Sequence, residues 1–145
     1  MNRFQDKHKV LADFYKEVWV VCPSCQHKAV ATTVDETRVR LYCASCGYQK
    51  GRSTSVVFQG EKVQFRTSAD FFFETELWLQ VPFKGDRFFA YNLEHLEYLE
   101  TYIAASLREH KNRTGFTLLE RLPKFYHDAK NRTALLKLIE KLKRK

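Results

Sequence analysis

Four cysteines fall in two identical spacings, Cys22-Pro23-Ser24-Cys25 and Cys43-Ala44-Ser45-Cys46, with seventeen residues between the pairs. Two residues between cysteines let both sulfurs of one tight turn reach the same ion. The spacer is long enough for a β-hairpin that carries the second turn opposite the first. Four thiolates at about 2.3 Å satisfy tetrahedral zinc, and full sulfur coordination leaves no position for water, so the metal holds structure and does no catalysis. The expectation is one structural Zn2+ on Cys22, Cys25, Cys43 and Cys46. Four thiolates also suit iron in a rubredoxin-like site. A thioredoxin-like redox centre needs a single CxxC at a helix start, whereas both pairs here follow apparent strands. Gly47, after the second pair, suits a left-handed turn that aims backbone N–H groups at sulfur, and Gln26 holds the equivalent place after the first.

No other grouping reaches that specificity. Arg121 and His127 form an Arg-x5-His spacing reminiscent of a helical RNase superfamily, but Pro123 lies between them and the bundle of long helices is missing. Asp70, Glu74, Glu76 and Asp86 are carboxylates without the lysine two residues on that a restriction-type nuclease centre requires; a solvated acidic face explains them. There is no phosphate-cradling glycine loop, HExxH or nucleophile elbow. His27 reads as an exposed loop side chain near Cys25, and His95 as a helix-surface residue. No catalytic residue is assigned, and the chain reads as a non-enzyme.

The basic residues are the second signal. The net charge is +8, unevenly spread. Residues 1–55 carry nine Lys/Arg against five Asp/Glu, residues 56–100 four against eight, and residues 101–145 twelve against four. A basic end beside an acidic, aromatic middle points to an anionic partner, nucleic acid being the simplest. Arg38 and Arg40 alternate with Val39 and Leu41 and should share a strand face, with Lys28 opposite and Lys50 and Arg52 after the second cysteine pair, giving one basic face. Lys130 and Arg132, at the start of the last helix, stand where helix amides bind phosphate oxygens. A scatter of solubilising charges is the plain alternative.

The elements that must hold these groups follow from periodicity. Phe4, Leu11, Phe14, Tyr15 and Val18 predict a helix over 3–17, with Asn2 as a possible cap. Residues 18–21, 28–34, 38–42 and 53–58 read as strands, 63–65 as a further short one, and 71–73 as an aromatic stretch without assignment. Apolar runs at 77–81 and 87–91 flank a Gly-Asp hairpin signal. Asn92 should cap a helix over 93–111 that buries Leu96, Leu99, Ile103 and Leu107 against the sheet containing Trp78 and Phe89. Thr117 opens a helix near 118–127, limited by Pro123, and a last helix spans 131–143. The result is an α+β chain: an N-terminal helix and cysteine-bearing hairpins in residues 1–58, then antiparallel strands and C-terminal helices in 59–145.

The chain has 145 residues, 44% hydrophobic and 29% charged. That fits one domain or two very small ones, and no apolar run approaches the length that spans a bilayer. The charged first residues lack a signal peptide's apolar stretch, so a reducing cytoplasm and free thiols are expected. Residues 18–58 resemble a zinc ribbon of the transcription factor IIB type. The chain as a whole is similar to small bacterial zinc-ribbon-containing proteins in its two CxxC pairs, 77–80, 90–96, 104–109, 121–123 and 129–132. The resemblance implies an N-terminal ribbon and a C-terminal α/β part, and no established activity. Two functions remain open: a zinc-stabilised protein binding DNA or RNA through Arg38, Arg40, Lys50, Arg52, Lys130 and Arg132, or an adaptor or regulatory subunit binding another protein through the ribbon or the acidic aromatic middle. No membrane and no small-molecule substrate is indicated.

Overall fold

β-Branched and aromatic residues crowd the chain between Val18 and Tyr42, and they form a meander. In the computed structural model, which describes Phe14 and residues 16–64, 67–105 and 124–145, β1 (Glu17–Val21), β2 (Lys28–Asp35), β3 (Arg38–Tyr42) and β4 (Gln49–Ser53) make a four-stranded antiparallel sheet in chain order. Alternation decides its faces. Val18, Val20, Ala29, Ala31, Val39 and Leu41 are buried on one face, where Phe14, Ala69, Phe72, Leu77 and Tyr91 cover them. The outer edge of β1 is closed by later chain: the Trp19 amide donates to the Tyr91 carbonyl at 2.6 Å, the Val21 amide to Glu76 at 2.8 Å, and Trp78 to Trp19 at 3.0 Å. Among the described residues, nothing pairs with the outer edge of β4.

Two hairpins follow. β5 (Ser55–Phe58) pairs with β6 (Glu61–Gln64), and β7 (Leu79–Phe83) with β8 (Asp86–Ala90). Both close through two-residue turns, Gln59-Gly60 and Lys84-Gly85, with positive φ at both positions. Such turns match the right-handed strand twist. The first hairpin is tied to the sheet by Gln64, whose side-chain amide donates to the Glu36 carbonyl and to the Thr54 hydroxyl. Thr54 also donates to the Glu36 carbonyl at 2.7 Å. The unassigned aromatic stretch is a 3-10 turn, Ala69–Phe73, which packs Phe72 beneath the sheet.

α1 (Leu93–Ala104) starts at Asn92, whose side chain accepts the His95 N–H at 2.9 Å and donates to the carbonyls of Phe14 and Glu17. The cap is as expected; the helix is shorter, because Ala105 turns to an extended ψ of 134°. Leu96, Leu99, Tyr102 and Ile103 are buried with Leu79, Phe83, Phe88 and Ala90 of the β7–β8 hairpin, and with Leu135, Ile139 and Leu142 of α2 (Arg132–Lys143). Trp78 packs on this core, but Phe89 turns to the other one. Lys124–Tyr126 form a 3-10 turn where the end of a helix near 118–127 was expected. The rest of that helix, Leu107, Arg121 and all but the last residues of the predicted N-terminal helix lie outside the described residues. The chain is thus α+β, with two helices and antiparallel strands among the described residues, and no described helix is long and apolar enough to cross a membrane.

Candidate metal centre and cationic cleft

Each cysteine pair sits in the turn between two strands, Cys22–Cys25 between β1 and β2 and Cys43–Cys46 between β3 and β4. The strand registers put both turns at one end of the sheet. The turns repeat each other bond for bond. The Cys22 amide donates to the His27 carbonyl at 2.7 Å and that of Cys43 to Tyr48 at 2.8 Å; Gln26 donates back to Cys22 at 3.0 Å and Gly47 to Cys43 at 2.8 Å. Closing the turn requires a left-handed residue, supplied by Gln26 at φ 67° and Gly47 at φ 81°.

The four sulfurs all lie within 4.8 Å of one another. Cys22 to Cys46 is 3.7 Å and Cys25 to Cys43 is 3.6 Å. A tetrahedron of sulfurs about 2.3 Å from a metal has edges of about 3.8 Å, so the donor set fits an ion of that kind. Amides face the sulfurs: those of Ser24 and Cys25 approach Cys22 Sγ at 3.3 and 3.5 Å. The Cys46 amide, with that of Ser45 and hydrogen bonds from the Cys25 and Cys46 sulfurs, pulls the Cys43 thiol down to about 7 against burial. At Cys25 the His27 amide lowers the pKa, but burial and the hydrogen bonds among the sulfurs outweigh it and push the thiol up to about 12. The His27 imidazole is exposed, as expected; its contribution to the cluster is the backbone amide.

The sheet register corrects the single basic face. Arg40 lies opposite Gly51 and Arg38 opposite Ser53, whereas Lys50 lies opposite Leu41 and Arg52 opposite Val39. Directly paired residues share a face, so the arginines of β3 point to one side and the cations of β4 to the other. They meet instead around the open edge. Arg38, Arg40, Lys50 and Arg52 line one cleft of about 720 Å³ with Val34, Thr37, Val39, Gln49, Gly51 and Ser53, and no carboxylate is among these residues. Gly51 leaves the floor open: a Cβ there would meet only the Val39 carbonyl oxygen, at 3.9 Å. Arg38 is partly neutralised by Asp35 at 3.1 Å. Hydrogen bonds from the Thr37 hydroxyl and amide, and from Arg38, hold that carboxyl down to about 2. Among the described residues, no carboxylate pairs with Arg40, Lys50 or Arg52.

Lys130 and Arg132 do not line this cleft. Lys130 is exposed in a 3-10 turn, Ala129–Asn131, that runs directly into α2, where Arg132 is half-buried. Asn131 in that turn is committed to structure: its Oδ1 accepts from Lys84 Nζ at 2.6 Å and its Nδ2 donates to the Phe125 carbonyl.

His95 corrects another expectation. It is 2% exposed. Its ring stacks between Phe14 at 4.8 Å and Tyr91 at 5.5 Å, and Nδ1 accepts the Tyr91 amide at 3.0 Å. Burial lowers its pKa to about 4, so it is neutral with the proton on Nε2. His127 is half-buried, with Nδ1 2.5 Å from the Tyr102 hydroxyl.

Sequence reading passed over Tyr42 and Gln49. Both lie on the outer face beside Arg40, whose guanidinium is 5.8 Å from the Tyr42 ring and 3.4 Å from Gln49 Oε1. Period-two alternation from Arg38 would have found Tyr42 on that face. Comparison of the chain with protein-family models, curated proteins and solved structures finds no match in any of the three.

Proposed function

We propose that the protein is a non-enzymatic, zinc-stabilised nucleic-acid-binding protein, its four-cysteine centre a zinc ribbon of the transcription factor IIB type. The observation that carries the reading is the cleft: four cations, three of them without a carboxylate partner among the described residues, line an open sheet edge with no acid in its walls. Such a surface attracts a polyanion mainly through phosphate contacts. The metal's role is indirect. It clamps both hairpin turns, so it fixes the register that brings β3 and β4 cations to one edge. Lys130 and Arg132 add a second basic surface where the 3-10 turn runs into α2.

The test is a salt titration of labelled random DNA and RNA with metal-loaded protein. Each neutralised phosphate adds about 0.9 to the slope of log K against log salt on a duplex, or about 0.7 on a single strand. A slope magnitude of about 2 to 3 is expected from the cleft. Arg40→Ala with Lys50→Ala should flatten it by one or two, Glu94→Gln should not, and Gly51→Glu should weaken binding by adding a carboxylate where there is room. Absence of binding at low ionic strength would overturn the reading. One observation favours the adaptor alternative: the β5–β6 hairpin holds Val57 74% and Phe58 57% exposed, an apolar tip suited to a protein partner.

A further inference from the structure

Tyr42 stands on a central strand, flanked on its own face by Val30 of β2 and Gln49 of β4, yet it is 43% exposed. Aromatic rings in that position normally supply core. Here the core of the sheet is on the opposite face, under Val39 and Leu41, and Tyr42 belongs to neither core. Arg40 and Arg38 continue the same face along β3, two and four residues away, a row of about 7 Å steps. Gln49, beside the ring, is shared with the wall of the cationic cleft. A half-exposed aromatic ring, with Arg40 5.8 Å from its centroid, thus adjoins a row of guanidinium groups on one strand, and the second metal-site turn begins at the next residue, Cys43.

A duplex offers such a surface phosphates and groove edges but no free base faces, because its bases are stacked inside. A single strand offers phosphates and free base faces together, and an aromatic ring next to a basic groove is the arrangement that uses both. Resting on the reading of the cleft as a nucleic-acid surface, we infer that the preferred ligand is single-stranded nucleic acid, with one base stacked on Tyr42 while Arg40 and its neighbours hold the flanking phosphates. Stacking is blind to sequence, so the preference is for strandedness and not for a motif.

The experiment is fluorescence anisotropy at fixed ionic strength, with the zinc-loaded chain and a labelled mixed-sequence strand of about 12 nucleotides as DNA and as RNA, each also as its duplex. Tyr42→Ala should weaken single-strand binding about 5- to 100-fold and leave duplex binding within about twofold. Tyr42→Phe, which keeps the ring, should bind like the wild type. Tyr42→Leu, which keeps bulk without a π-face, should behave like Tyr42→Ala and guards against a folding artefact, with metal content checked for each variant. Wild-type affinity in Tyr42→Ala and Tyr42→Leu, or equal losses on single strands and duplexes, would overturn the stacking inference while the cleft reading stands. A zinc-loaded wild type that binds neither form would overturn both.

Discussion

At the scale of single residues, the cysteines and His95 both weaken the fold as pH falls, by different routes. Metal binding requires thiolates, so protons compete with the ion. With Cys25 pushed up by burial and by the hydrogen bonds among the sulfurs, binding should release protons at neutral pH, and metal affinity should fall as pH falls. Isothermal titration in buffers of different ionisation enthalpy reads that release. Replacing any one of the four by Ser should abolish tight binding and unfold the sheet, seen by circular dichroism. His95 acts through folding. Its folded pKa, about 4, is below the ordinary 6.5. The unfolded chain therefore takes up the proton first, and stability is full above about 6.5 and declines as pH falls from there toward 4. The limit is about 3 kcal/mol. His95→Phe should remove that slope, read as the wild-type-minus-variant difference in denaturant midpoints between pH 7 and 4. The cysteines were legible because a metal site's spacing is local in sequence. The burial of His95 was not, because the Phe14 ring that covers it lies far away in the sequence.

Elements were legible where one periodicity dominates. The meander strands and the Asn92 cap follow from alternation and from a side chain's reach to an amide three residues on. The end of α1 did not follow, since Leu107 continues the apolar stripe beyond Ala105, where the backbone is already extended. The basic face failed for a different reason. Alternation sets which residues of one strand share a face, but the side taken by Lys50 and Arg52 depends on their pairing with β3. Two predictions belong here. Leu99 is fully buried between the β7–β8 hairpin and α2, so Leu99→Ala should cost about 2–5 kcal/mol in chemical denaturation. Gly85 closes its hairpin at φ 79°, so Gly85→Ala should cost about 1 kcal/mol, and Gly85→Asn, which tolerates that region, less.

At the scale of the whole molecule, two cores divide the work. The sheet's core and metal centre hold a cationic edge open to solvent. The core of α1, α2 and the β7–β8 hairpin closes the other edge through Trp78 and Tyr91, with Tyr98 packed against both cores. Net charge alone could not locate the cationic edge, because the most basic third of the sequence is not the part that lines the cleft. In the proposed reading metal and nucleic acid are joined, because an ion on the four cysteines would hold the register on which the cleft depends. Native mass spectrometry of the purified chain mixed with a short oligonucleotide tests both halves at once. The predicted spectrum holds the chain with one zinc, and the same species carrying one strand, and a chelator removes zinc and strand together. A folded, reduced chain without metal, or a zinc-loaded chain that never carries a strand at low ionic strength, would contradict it.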